Sequence, residues 1–447
     1  MAESIAVIGG GITGLTSALD LSADGRTVHL FEQMDVLGGK IAETSIAGRV
    51  VPTGPDAFLS RRPEVTELAV SLGLEPMLVS PSAASARIYR DGRLHRLPAN
   101  VLGVPATSEL GSTGLISAEG IERAAADLTA HDDRPGTDES VGAMVRRRLG
   151  DEVLEYIVDP LLGGINAGDS DRLSIEAGAP QLDVLRQRHP SLIKAAADTL
   201  ASANRNAGPV FTSVTGGLNR LIDRAVTELR SRPNVEVSLG VPATLMRTEA
   251  GWSVSGVGVD NVLITTPAVS ASSLVRPFAP EASVELDAID YSSVALAVLV
   301  ASPETFAVDR SISGVLVPRL AGLTVTAVSF ATHKWPELSH DGDHVLRVSI
   351  GRRTAREWQN QSDDLLLENI RADLGHIFDT DVPVGPAVLT RWMNSLPQYD
   401  VGHGEKVARV DAAVSNVAGL FLAGAWRNGL GLPACVESAH SAAHKIR

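Results

Sequence analysis

Ser4-Ile5-Ala6-Val7-Ile8 runs into Gly9-Gly10-Gly11-Ile12-Thr13-Gly14, and the chain resumes as Leu15-Thr16-Ser17-Ala18-Leu19. An apolar pentapeptide, a glycine-dense turn and a second apolar run read as strand, turn and helix. The glycines follow G-x-G-x-x-G, the opening of a dinucleotide-binding unit. Gly9 lets the backbone turn tightly, Gly11 lets a pyrophosphate approach, and Gly14 lets the helix pack on the strand. Gly10, Ile12 and Thr13 complete the cradle. The free N–H groups of the helix N-terminus face the phosphates.

Outward from this motif, a helix is expected to about residue 22, then a turn, then the strand Thr27-Val28-His29-Leu30-Phe31. Glu32 ends that strand, where a carboxylate accepts hydrogen bonds from ribose hydroxyls and repels a 2′-phosphate. Gln33 lies beside it. A second glycine pair follows, Gly38-Gly39, with Lys40 as a point charge for phosphate. A nicotinamide enzyme has little need of this pair, whereas FAD enzymes of the amine-oxidase type pass the chain back over the ribose and pyrophosphate here. Gly54, Pro55, Asp56 and Ala57 form a turn that in such enzymes lies along the flavin; a plain surface turn is the alternative reading.

The 447 residues exceed one ordinary core, so two or three domains are expected. A formal net charge of −14 argues against nucleic acid or anionic lipid as a partner. The single cysteine, Cys435, rules out an intrachain disulfide and fits a reducing cytoplasm. A fold that begins by Ser4 leaves no room for a targeting peptide, and no apolar run approaches the roughly 20 residues of a spanning helix. A soluble, cytoplasmic protein is the expectation.

Residues 62–205 read as a mostly helical insertion. Within it, 86–98 form a hairpin that carries Arg87, Arg90, Arg93 and Arg96. This is either a solvated charged hairpin or a carboxylate clamp. Residues 131–137 read as an exposed linker. A helical run over 152–162 is expected to be interrupted at Gly163-Gly164-Ile165-Asn166-Ala167-Gly168, a glycine density that marks close backbone approach. Residues 268–388 read as a mixed β-sheet domain. Residues 1–61, 206–267 and 389–447 read as one discontinuous dinucleotide-binding domain, closed by a strand, a glycine loop and a final helix. That helix N-terminus suits the negative charge of a reduced flavin.

The opening motif resembles that of the protoporphyrinogen/coproporphyrinogen oxidase family, within the FAD-dependent amine-oxidase superfamily and of the soluble bacterial type. Three further stretches share the likeness: 142–174, Leu396-Pro397-Gln398-Tyr399 with Gly402-His403, and the tail Ala425-Trp426-Arg427-Asn428-Gly429-Leu430-Gly431-Leu432-Pro433. It runs almost end to end. The resemblance implies an α/β fold, with a Rossmann-like FAD-binding domain of the p-hydroxybenzoate hydroxylase/amine-oxidase type and a mixed-sheet substrate domain. It implies six-electron oxidation of a porphyrinogen in heme biosynthesis, in which three O2 become three H2O2. By position, FAD would be held by the residues above, with Ala243 at the adenine and Trp392, Gly431, Leu432 and Pro433 near the flavin. The macrocycle would meet Leu316, Trp335, Gly164, Asn166 and Gly168, with Arg87 as propionate ligand. Asn166 stands where the family usually has tyrosine.

Hydride transfer needs positioning more than an acid or base, and no catalytic dyad and no metal site is nominated. His440 and His444 are spaced like a helical metal pair but lack the glutamate of a zinc motif. Four arginines and no membrane anchor favour coproporphyrinogen III; protoporphyrinogen IX is the alternative, and another oxidase or a desaturase on the same scaffold is a further one. A protein that carries FAD without catalysis is the non-enzymatic alternative. Whether a downstream ferrochelatase makes transient contact is left open.

Overall fold

The computed structural model describes residues 3–82, 84–107, 110–129, 137–202, 208–382 and 384–446. Residues 131–136 of the expected linker lie outside the described residues. Strand Ser4–Ile8 passes through Gly11 into helix Ile12–Ala23. It pairs in parallel with Thr27–Phe31 on one side and Asn261–Ile264 on the other. Val235–Ser238 and Leu420–Leu422 extend this to a five-stranded parallel sheet. Both faces of its central strands are covered, and there residues 5–8 and 262–264 are continuously apolar. Leu15, Leu221 and Val436, from helices Ile12–Ala23, Asn219–Ser231 and Leu432–Ile446, share the core on one face. Trp252, Ala271, Leu286 and Val410 fill the other.

Two glycines of the opening turn are required by space. Gly9 adopts φ +111°, a region L side chains avoid. A methyl group on Gly14 would overlap the carbonyl oxygen of Gly9, so the first helix lies against the strand end only because Gly14 has no side chain.

The second sheet has seven strands in the order Val384–Pro397, Tyr291–Ala301, His344–Ile350, Val325–Phe330, Ile312–Leu316, Ser85–Arg90 and Arg93–Arg96. Alternation along its strands makes two unlike faces. Ala295, Ala297, Val315, Val328 and Val348 share a core with Leu366, Ile370 and Leu374 of helix Asp363–Phe378. Leu296, Val298, Leu316, Arg347 and Trp392 alternate with them and face the other way. Helices of the 110–196 region form a separate core around Met144, Leu154, Ile157 and Leu182, and Leu316 packs against it.

Two expected boundaries differ from the observed pairing. The arginine hairpin, read as part of the helical insertion, joins the mixed sheet: Arg87 pairs with Val315 and Ile88 with Leu316. The boundary at 388/389 falls inside strand Val384–Pro397, whose pairing runs unbroken from Val388 through Trp392. No turn residue interrupts Val388-Leu389-Thr390-Arg391-Trp392, so nothing ends the strand there. The glycines Gly163 and Gly164 also do not interrupt their helix. It continues to Asn166 and ends where Ala167 turns left-handed, φ +47°. The irregularity comes earlier, as a π turn over Leu154–Val158 just ahead of Pro160, which lacks the N–H of a regular ladder.

The two kinds of glycine predict different outcomes. Gly14→Ala should cost about 1–3 kcal/mol in urea denaturation, as overpacking of a backbone contact does. Gly11→Ala, whose added methyl meets nothing within 4 Å, should leave the stability of the flavin-free protein within roughly 0.5 kcal/mol.

Candidate active site

The glycine turn and the strand end make a cradle. Glu32 closes it: one carboxylate oxygen accepts from the Gly10 N–H at 2.7 Å and the other from the Met34 N–H at 2.9 Å. The 38–40 segment is tied back by the Gly38 N–H to the Gly10 carbonyl, 2.8 Å. Ala243 follows Val241, whose N–H donates to the Glu32 carbonyl at 3.0 Å. Gln33 is exposed beside it. Three observations fit an anionic dinucleotide here. Gly11 faces open space. Lys40 has no ion-pair partner among the described residues, and burial lowers its pKa from the ordinary lysine value. Helix Leu432–Ile446 begins at the same cleft, with Thr13 Oγ1 donating to the Cys435 carbonyl at 3.3 Å.

The 53–57 loop crosses from this cradle to the second sheet. Gly54 lies so close to the Lys40 carbonyl that a methyl group there would overlap it. Trp392 Nε1 donates to the Thr53 carbonyl at 2.7 Å, and Arg347 donates to the Gly54 carbonyl. Asp56 is held between Arg347, 2.8 Å, and Lys334, 3.2 Å. Burial alone would raise its pKa. The two cations, with hydrogen bonds from Lys334 and Trp335, outweigh that and hold the carboxyl well below the usual carboxylate range. Trp335 thus sits beside Asp56, and Trp392 beside Thr53, which brings together residues the sequence singled out separately. Lys334 and Arg347 were not singled out. The only sequence signal was the basic residue adjoining Trp335.

The facing wall is the end of helix Asp159–Asn166. A methyl on Gly164 would stand 3.3 Å from Leu316 Cδ2, so this pair is in close approach. Gly168 is packed against Gln398, and the Gln398 amide donates to the Asn166 carbonyl at 3.0 Å. The Asn166 side chain is turned inward: its Oδ1 accepts from the Gly168 N–H at 3.0 Å. A buried asparagine thus serves the helix end here, and its amide oxygen is spent on the backbone.

The four arginines do not converge. Alternation sends Arg90 toward the helical region, where it donates to the Leu115 carbonyl and lies 3.9 Å from the Tyr156 ring centroid. Arg87 pairs with Val315 and shares its face, together with Tyr89, against the core of helix Asp363–Phe378. Its place in the register alternates with that of Leu316, and it lines a recess at the sheet edge together with Ala86, Arg96 and Leu97. Ala86, one residue earlier, occupies the inward register.

The tail is structural around the cleft. His403 is buried, with Nε2 3.0 Å from the Arg427 carbonyl, and burial lowers its pKa. Tyr399 donates to the Ala425 carbonyl. Trp426 is enclosed in the core of the parallel sheet and faces no cleft. Burial pushes the Cys435 thiol up to about 11. His440 is bound to Asp20 at 2.6 Å, a contact that raises its pKa. Among the described residues no group of three or more His, Cys, Asp or Glu side chains is placed to hold a metal ion, and no helix is long and apolar enough to cross a membrane.

A parallel sheet whose glycine turn, terminal acid and closing helix share one cleft is the doubly wound arrangement in which dinucleotides are commonly bound. The family follows from the match of residues 12–447 to the flavin containing amine oxidoreductases, and the chain belongs to that family as a flavin-dependent oxidoreductase. It is 33% identical to the coproporphyrinogen III oxidase of Mycobacterium leprae (strain TN), with 100% of this chain and 98% of that one covered. It is 29% identical to the coproporphyrinogen III oxidase of Bacillus subtilis (strain 168), with 98% and 97% covered. A solved structure from Exiguobacterium sp. 255-15, provisionally assigned as a protoporphyrinogen oxidase, matches with TM-score 0.89 and 30% identity over 100% of this chain and 99% of that one.

Asp56 supplies a test. Its depressed pKa means that its contribution to stability is present above about pH 4, the unfolded carboxylate value, and is lost as pH falls below it. Asp56→Asn should cost about 3–5 kcal/mol at pH 7, because it leaves Arg347 buried without its anion. Urea titrations at pH 7, 4 and 3 should show a shallower acid loss in the variant; equal slopes would remove Asp56 from this role.

Proposed function

We propose that this chain oxidises coproporphyrinogen III to coproporphyrin III, with FAD as cofactor and O2 as electron acceptor. The observation that carries the reading is the full-length likeness to coproporphyrinogen III oxidases, 33% for that of M. leprae. The balanced reaction removes six electrons and six protons from the porphyrinogen and turns three O2 into three H2O2. Bound FAD supplies the hydride acceptor. In this reading the cradle of Gly9, Gly10, Gly11, Ile12, Thr13 and Gly14 takes the pyrophosphate, with Lys40 as its counter-charge. Glu32 and Gln33 take the ribose, and the backbone at Ala243 the adenine. Gly54, Pro55, Asp56, Ala57, Trp392, Gly431, Leu432 and Pro433 border the flavin.

The remaining side chains position the substrate and exclude water. Leu316 and Trp335 supply apolar surface, and the glycine-lined helix end at Gly164 and Gly168 lets the macrocycle come close. No proton carrier is required of them. The histidine and tyrosine nearest the tail loop are committed to backbone carbonyls. The reading carries a cytoplasmic location, supported by the single cysteine, and transfer of product to a downstream ferrochelatase by transient contact.

Protoporphyrinogen IX is the second reading. It is favoured by the Exiguobacterium structure and by a 27% likeness to the chloroplast protoporphyrinogen oxidase 1 of Spinacia oleracea. Side-by-side kcat/KM values for the two porphyrinogens decide between them, and a clear preference for protoporphyrinogen IX reverses the proposal. For the cofactor, Lys40→Met should weaken FAD binding about tenfold or more, the value of one charge-assisted contact to phosphate. Quenching of flavin fluorescence on titration into stripped protein measures it; unchanged affinity would take Lys40 out of the site.

A further inference from the structure

The wall formed by the end of helix Asp159–Asn166 also includes the strand end at Leu316. These two pieces are far apart in sequence, and one guanidinium touches both. Arg352 lies just past strand His344–Ile350 and is buried, at 8% exposure. Its Nη2 donates to the carbonyl of Val317, the residue after Leu316. Its Nη1 lies 3.9 Å from Asp159 Oδ2, and a methyl group on Gly163 would stand 3.3 Å from that same nitrogen. The planar fork thus spans helix and strand. The close approach of Gly164 to Leu316 limits how far the two pieces can close, and the fork limits how far they can part.

The acid beside Arg352 gathers further ties. Asp159 is buried and stands where the π turn becomes regular helix. Its Oδ1 accepts from Ser170 Oγ at 2.7 Å and from Arg319 Nη2 at 3.2 Å. Arg319 comes from the turn that follows the Leu316 strand, and it reaches Asp169 as well, at 3.4 Å. Arg353 adds a backbone tie, its N–H donating to the Ala167 carbonyl at 2.9 Å. A buried charge cluster adds little net stability when intact, so its consequence is the placement of the wall.

We propose that Arg352 is a positioning residue for the porphyrinogen: its fork sets the spacing between Leu316 and Gly164, and with it the shape of the wall that the macrocycle meets. The inference rests on the reading that coproporphyrinogen III binds against this wall. Arg352 acts through Leu316 and Gly164, with no part in hydride transfer. Contacts of this kind hold substrate and transition state alike, so their loss falls on KM rather than kcat.

The test compares steady-state oxidation of coproporphyrinogen III by the full-length, flavin-loaded protein and three variants. Arg352→Lys keeps the charge but loses the planar fork that spans carbonyl and acid. Asp159→Asn keeps the shape and an acceptor for Ser170 but loses the anion. Each should raise KM about fivefold or more, with kcat and FAD affinity within about twofold of the wild type. Arg148→Lys is the control: it loosens a buried pair whose partners, Asp127 at 2.6 Å and the Pro190 carbonyl, are not part of the wall, and its KM should be unchanged. An unchanged KM in both wall variants, a kcat that falls as far as kcat/KM, or an equal rise in Arg148→Lys would overturn the proposal. A wild-type protein that oxidises no coproporphyrinogen III would sink the substrate reading and this inference with it; normal wild-type turnover with unshifted wall variants would sink the inference alone.

Discussion

The carboxylate of Asp56 lies between Arg347 and Lys334, and the two halves of the protein meet there. Asp56 belongs to the loop that leaves the glycine cradle; its partners come from the far sheet, on strand His344–Ile350 and beside Trp335. The same loop is gripped twice more, by Trp392 at the Thr53 carbonyl and by Arg347 at the Gly54 carbonyl. A buried ion pair adds little net stability when intact, yet is costly to break. Its effect is therefore geometric. The loop has one position relative to the sheet, so anything resting on the loop has one position relative to whatever the sheet holds.

The parts of this arrangement that were legible in the sequence are the local ones. Strand, turn, helix and terminal acid follow one another within 30 residues, and each step is set by glycine sterics or by apolar period. The fold of the cradle could be read directly. Asp56 could be placed on its loop, but not given its partners, because Lys334 and Arg347 lie nearly 300 residues away and carry no local pattern. The helix through Gly163 and Gly164 was hidden for a different reason. Two glycines lower helix propensity by about 1 kcal/mol each, and contacts with Leu316 and neighbouring side chains override that.

The arginines hold the clearest lesson about reading charge from sequence. Four of them in ten residues look like a clamp only while the strand is treated as a line. Once it is a strand, odd and even positions separate, and Arg87 and Arg90 go to opposite sides. Elsewhere arginine is a fastener of backbone: Arg123 donates to the carbonyls of Arg146, Arg147 and Arg148, and Arg352 donates to that of Val317. In an acidic protein, a run of arginines is as much internal carpentry as recognition. Asn166 teaches the same in miniature, since the sequence reading placed it toward the substrate while its amide oxygen serves the helix end.

The hairpin has one more consequence. Arg93–Arg96 is the last strand of the mixed sheet, only four residues long, with an arginine at each end exposed to water. Among the described residues, one side of this strand has no partner strand in the sheet. An open edge invites a second sheet to add on, and short, cationic edges discourage it. A second copy approaching edge to edge would bring arginine against arginine before any ladder could form. The same charges that fail to make a clamp therefore limit the sheet to its own seven strands and guard the protein against growing into a fibre.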